Sequence, residues 1–290
     1  MSTKDMLEGD SFQKFMFDDC HIRGEIVRLS DSFQQAIQNK QYPSVVRKLL
    51  AEATTATLLM TGTLKFEGHL SLHARGQGPL TLLMAEATNT KNFRTIANFT
   101  EDLPEEGELR MLLGKAQLAI TIDPEKGRRY QGIVPLEDAT MAECLARYFE
   151  LSEQLQTHFM FASDEDGCYG LMLQQLPDYK HIEDQDAWDR IRQLSETLGF
   201  EELKAHSNAE ILHRLYHEEK VSVYEREEVG FKCSCSEERS LASIQALGAE
   251  EALNILEEES VIQVDCQFCG QHYEFDRNKI NTIFDIGKPH

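Results

Sequence analysis

Apolar and polar positions change period several times along the chain, and each change predicts an element. Phe15 and Phe17, then Ile22, Gly24 and Ile26, alternate as strands do. Leu64, Phe66, Gly68, Leu70 and Leu72 keep a period of two up to the Gly76-Gln77-Gly78-Pro79 turn, and the apolar run from 80 to 85 completes a hairpin. Between these strands Pro43 stands at a helix start, with Val46, Leu49, Leu50 and Ala53 at helical spacing. Two more hairpins follow. Residues 118 to 122 turn through Asp123-Pro124-Glu125-Lys126-Gly127 into 130 to 134, and 159 to 162 turn through Asp164-Glu165-Asp166-Gly167 into 169 to 173. A helix from about 136 to 157, with Leu145 and Phe149 on one face, is expected to join them. Strand pairs interleaved with helices in this order predict an α+β domain with antiparallel sheets rather than a doubly wound fold, spanning 1–178.

From 179 to 230 the pattern becomes helical on a heavily charged background. Trp188, Ile191, Leu194 and Leu198 form a stripe ended by Gly199, and Ser207 with Glu210 makes a capping box ahead of Ile211, Leu212, Leu215 and Tyr216. Stripes this narrow leave the helices marginal unless they dock on something larger, so the segment reads as a conditionally folded linker. The remainder, 231–290, holds one short helix (Leu241, Ile244 and Leu247 ahead of Gly248), a second around Leu253 and Leu256, and a hairpin from 261–264 to 273–275. About sixty residues with so few large apolar side chains lie near the limit of what burial alone keeps folded.

The length of 290 residues, 41% of them hydrophobic, suits a large core plus a smaller module. Fifty acidic against 29 basic residues leave a net charge of -21, which repels phosphate backbones and anionic bilayers, so neither nucleic acid nor a membrane is an expected partner. The first residues carry no apolar core of signal-peptide length and no stretch approaches about 18 consecutive apolar residues, so a cytoplasmic protein is expected. In a reducing compartment, paired cysteines are metal ligands or redox-active thiols more often than structural bridges.

Four of the seven cysteines stand as Cys233-Ser234-Cys235 and Cys266-Gln267-Phe268-Cys269. CxxCG on a hairpin turn commonly presents two zinc thiolates; CxC chelates with less room for the amides that hydrogen-bond sulfur. Zn2+ held by Cys233, Cys235, Cys266 and Cys269 is therefore expected, with unliganded thiols, or His272 replacing one cysteine, as the alternatives. A structural zinc contributes roughly 10–16 kcal/mol, against a stability of roughly 5–15 kcal/mol for a whole domain, so losing it should unfold the module. Oxidation removes the ligands, and neighbouring thiols pair most readily, Cys233 with Cys235 and Cys266 with Cys269. Such short loops constrain the chain little, and the long tie is not replaced. Two other readings stand beside this switch: a permanently loaded zinc module, and a thiol-disulfide oxidoreductase, whose dithiol normally opens a helix, whereas Cys266 follows a strand. His213 and His217 have ligand spacing but read as solvated, Cys20, Cys144 and Cys168 as buried thiols with Cys168 the one that could be exposed, and Gly76 to Gly78 as a turn lacking the lysine of a phosphate loop.

The CSC and CQFCG motifs with their separation, LYHEE at 215–219 and GTLKFEGHLSLHARGQGPLTLLMAE at 62–86 together resemble the 33 kDa chaperonin family, redox-regulated heat-shock holdases of bacteria. The resemblance covers nearly the whole chain. It implies a non-enzymatic, ATP-independent chaperone that is inactive when reduced and zinc-loaded. Oxidised and zinc-free, it would form a homodimer that binds unfolding client proteins. It also implies that Cys233, Cys235, Cys266 and Cys269 are at once zinc ligands and the redox-active centre.

Overall fold

The computed structural model describes residues 9–63, 67–177 and 184–285, and the chain falls into two compact units, Met1–Lys232 and Cys233–His290. The predicted positions Leu64 and Phe66, and the first residues of the expected linker, lie outside the described residues.

Unit 1 opens with strands β1 (Ser11–Phe17) and β2 (Ile22–Leu29) and helices α1 (Asp31–Ile37) and α2 (Ser44–Thr61). Then come β3 (Gly68–Arg75), β4 (Leu80–Thr88), β5 (Asn92–Phe99), α3 (Leu109–Leu113), β6 (Gln117–Pro124) and β7 (Tyr130–Pro135). They are followed by α4 (Met141–Tyr148), β8 (Thr157–Ser163), β9 (Cys168–Gln175), α5 (Ala187–Glu196), α6 (Phe200–Ala205), α7 (Asn208–Tyr216), β10 (Val221–Glu228) and β11 (Gly230–Phe231). Two sheets result, ordered β10-β1-β2-β9-β8 and β11-β5-β4-β3-β6-β7. All pairings are antiparallel except β11 with β5.

Helix α2 packs against strands of both sheets and is buried on nearly every side. A helix apolar all round belongs in a core. Its buried threonines are tolerated because Thr54, Thr55 and Thr57 donate their hydroxyls to the carbonyls of Leu50, Ala51 and Ala53, one turn back. The opposite face of the first sheet carries Phe15, Phe17, Ile22, Ile26, Leu171 and Leu173, and Ile191, Leu198, Leu203, Ile211, Leu212 and Tyr216 from α5–α7 cover it. The narrow apolar stripes of 179–230 thus find a larger surface to dock on.

The hairpins at 76–79, 123–127 and 164–167 form as expected. The first is a turn without room for side chains: a Cβ on Gly76 would stand 2.1 Å from the carbonyl oxygen of Leu113. The helix expected from 136 to 157 is shorter. Thr140 and Glu143 form a capping box that starts it at Met141, and a π-turn at Phe149–Glu153 closes on Gln154 with φ 56°, so β8 can begin at Thr157. The described part of the expected linker, 184–230, is helical only to Tyr216. Beyond it β10 lines up with β1, Val221 opposite Phe17 and Val223 opposite Phe15. Strand β5, which alternation in 92–99 was too broken to reveal, joins β4 to the parallel end strand β11. Cys168 is fully buried, since it opens β9 between Leu29 and Ser163, while Cys20 and Cys144 are buried as expected. Among the described residues no helix is long and apolar enough to cross a membrane.

Unit 2 contains α8 (Glu237–Leu247), α9 (Ala249–Glu258), the hairpin β12 (Val261–Asp265) with β13 (His272–Asp276), and α10 (Arg277–Ile283). Its buried apolar residues are Ile244, Ala252, Leu256, Ile262, Phe275 and Ile280. Leu247, the last member of the α8 stripe, is exposed where Gly248 (φ 95°) turns the chain into α9.

Candidate metal centre

The four expected ligands come from two segments. Ser236 caps α8 by accepting the amide of Arg239, so the helix starts just after Cys235 and 232–236 stay outside helix and strand. Arg239 in turn donates to the carbonyl and hydroxyl oxygens of Ser234, holding the residue between the two cysteines. The other pair sits on the β12–β13 turn: the amide of Cys266 donates to Gln271 and that of Gly270 to Cys266. Gly270 has φ 72°, a conformation that glycine adopts without a Cβ clash, which explains the glycine of CxxCG.

This geometry brings all four sulfurs within 4.8 Å of one another. Cys233 and Cys266 are 3.6 Å apart and Cys235 and Cys269 are 3.4 Å apart, so the nearest neighbours belong to opposite pairs. Four thiolates around one ion at about 2.3 Å stand about 3.8 Å from each other in a tetrahedron, and the observed spacings match that cage. Among the described residues no other group of histidines, cysteines and carboxylates converges in this way. The residues fit a metal ion.

Electrostatics agree. Burial pushes the Cys233 and Cys269 thiols up; all three neighbouring sulfurs add to the effect at Cys269, whereas at Cys233 those of Cys266 and Cys235 add to it and that of Cys269 opposes it. Burial also acts on Cys266, but the amides of Cys269 and Phe268 and the adjoining sulfurs hold it below the ordinary thiol value. The Cys266 thiolate is favoured and those of Cys233 and Cys269 are discouraged, chiefly by burial; a bound cation would reverse that penalty. The amide of Cys235 also reaches the sulfur of Cys233, so the CxC half has an amide-to-sulfur bond despite its short spacing.

His272 is not a ligand here, since Nδ1 lies 2.6 Å from Asp265 and Nε2 3.2 Å from Glu274, and both carboxylates raise its pKa. His213 and His217 are exposed, with ring centroids 6.4 Å apart and no third ligand. The sequence reading missed Tyr273, whose hydroxyl donates to the Cys235 sulfur at 3.3 Å, an interaction that pushes the phenol up to about 12. It missed Arg239 as well. Neither stands in the cysteine motifs; only the strand register that sets Tyr273 opposite Val264, and the first turn of α8, bring them there.

With the geometry described, comparison with known proteins adds the following. A family model described as Hsp33 protein matches residues 10–276. A 33 kDa chaperonin of Hahella chejuensis is 46% identical over 282 residues, 96% of this chain and 98% of that protein. The 33 kDa chaperonin of Ectopseudomonas mendocina is 42% identical over 280 residues, 95% of each. The crystal structure of a 33 kDa chaperonin from Thermotoga maritima superposes with a TM-score of 0.83 at 22% identity, covering 97% of this chain and all of that one, and so shares its fold.

Proposed function

The chain belongs to the Hsp33 family of chaperonins, and from that premise we propose that it is a redox-gated, ATP-independent holdase of the cytoplasm. Its reduced form holds one zinc ion through Cys233, Cys235, Cys266 and Cys269. When bound, the ion supplies a crosslink between 233–235 and 266–269 of the size that small zinc modules depend on, roughly 10–16 kcal/mol.

The thiols carry the switch. Each pair of thiolates gives up two electrons to peroxide or hypochlorite as one S–S bond forms, the oxidant taking protons from solvent and leaving as water, or as water and chloride, and a sulfur in a disulfide would no longer hold the metal. Cys233 with Cys235, and Cys266 with Cys269, are the bridges expected. The cross-pair distances of 3.6 and 3.4 Å do not oppose this, because every pair must close to about 2.05 Å and all lie within 4.8 Å at the start. Residues 266–269 and 233–235 then part, and unit 2 is left with six buried apolar side chains, one of them an alanine, to hold it. Loss of order there spreads to the conditionally folded linker, 179–230. The first-sheet face that α5–α7 cover is thereby opened to unfolding client proteins, and the oxidised chain associates as a homodimer.

The observation that carries this reading is the meeting of four sulfurs from two segments 33 residues apart, Cys233 and Cys266, on a unit with a minimal core. A permanently loaded zinc module would share the geometry and differ in response. A single oxidant titration separates the two: zinc release, far-UV helicity and suppression of aggregation of a denatured client are expected to change together. Equal suppression by the reduced, metal-loaded protein would remove the gate from this account.

A further inference from the structure

If the linker is released by oxidation, something must hold it closed before then, and one buried side chain is placed to do so. Arg28 lies on β2, opposite Tyr169 of β9, and is only 5% exposed. Its guanidinium stacks on the Tyr169 ring, 5.1 Å from the centroid. Nη2 donates to the carbonyl oxygen of Leu203 at 2.6 Å and to that of His206. Those carbonyls end α6, a helix of six residues. A helix this short does not hold itself, and its last carbonyls have no partner inside it. A buried cation supplies both missing bonds and complements the negative end of the helix dipole.

Other polar contacts converge on the same turn. Lys204 pairs with Asp164 and Asp166 of the β8–β9 turn at 2.7 Å each, and Phe200 packs edge-on to Tyr169. By contrast, Arg190 with Glu219, and the Tyr216 hydroxyl with the Ile191 carbonyl, tie parts of the linker to one another. The core's buried polar hold on the three helices therefore lies at α6 and at the start of α7, where buried Asn208 donates to Ser11 of β1 at the longer distance of 3.4 Å.

We infer that Arg28 is a positioning residue that latches α6 to the first sheet and so sets how readily the linker lifts. The inference rests on the holdase reading above for its functional consequence, but not for its structural one. Its removal loosens the linker while every thiol and the metal stay in place.

The test uses the full-length, reduced, zinc-loaded chain carrying Arg28→Met, which keeps the apolar stem over Tyr169 and removes the donors. Hydrogen exchange is read for 200–216 and for α2, with zinc content and client aggregation measured on the same samples. Protection of 200–216 is expected to fall about ten- to a hundredfold, the equivalent of losing hydrogen bonds to a charged group, with α2 and zinc unchanged. Lys204→Met, which removes exposed pairs, is expected to change it less than about threefold. Suppression of aggregation without oxidant is expected to appear in Arg28→Met. Protection of 200–216 equal to wild type overturns the latch. Lost protection with no client binding keeps the latch and sinks the holdase reading. Should Arg28→Met also unfold α2, Arg28→Lys decides, since lysine keeps the charge without the fork: 200–216 protected as in wild type overturns the proposal, and intermediate protection supports it.

Discussion

Units 1 and 2 are built from the same chain by different means. In unit 1 a helix buried on nearly every side packs against two sheets, and a second apolar cluster fills the other face of the first sheet. In unit 2 six buried apolar residues share the work with four half-buried sulfurs. Burial at about 25 cal/mol per Å2 scales with the area hidden, so the core around α2 is held by a term no oxidant touches. The smaller unit depends on thiolates, whose chemistry is reversible. Under the proposed redox gate, the contrast would make one protein robust and switchable at once, with the sensor where hydrophobic stabilisation is thinnest.

Cys266→Ser should separate the units most sharply. It removes one sulfur from the cage, and loss of ordered structure in 233–290, with α5–α7 loosened and α2 still protected, is expected by hydrogen exchange. A unit 2 that stays protected would show that its apolar core suffices. Leu50→Ala makes the converse cut. Leu50 is fully buried on α2, and its truncation should cost unit 1 about 2–5 kcal/mol of stability, read from its denaturant unfolding curve, while zinc content stays unchanged.

Glu25 gives a pH handle on unit 1 alone. Burial raises its carboxyl pKa to about 7, against the nearby charges of Arg23, Lys14 and Lys91, and its Oε2 lacks a hydrogen-bond partner. Because the folded value lies above the unfolded one, the contribution is fully present below about pH 4.5 and is lost as pH rises through 7. Glu25→Gln should flatten that slope, leaving the variant more stable than wild type by roughly 1–3 kcal/mol at pH 8. An unchanged slope between pH 5 and 8 would show that Glu25 is not its source.

The smallest test applies one kind of change to both units. Thr140 caps α4 and Asp276 caps α10, each accepting an amide three residues on, from Glu143 and Lys279. Each alanine substitution should cost about 1 kcal/mol. Thermal melts should show little for Thr140→Ala, whereas Asp276→Ala should lower the oxidant dose at which unit 2 loses order. Equal responses would blur the contrast between the units.

Much of this was legible in residue order. Hairpins at 76–79, 123–127 and 164–167 follow from local alternation and turn residues, and Pro43 with Val46, Leu49 and Leu50 marks α2, since these signals act over a few residues. The four sulfurs were legible because CxC and CxxCG state ligand chemistry directly. What 136–157 concealed was where a helix stops: Gln154 adopts a left-handed conformation that its identity does not announce. Strand β10 stayed hidden behind helices because Val221 and Val223 mean little until Phe17 and Phe15 stand opposite them.

The sequence by itself determined the α+β character, the thiol set and the thinness of the apolar content after residue 231, all carried by composition and short-range spacing. The tertiary structure alone decided that Cys233 neighbours Cys266, that Tyr273 reaches Cys235, that Cys168 is shut away and that Arg28 grips α6. Each of those depends on partners far apart in the chain. Such contacts are chosen by the packing of whole sheets and helices, which no local pattern encodes.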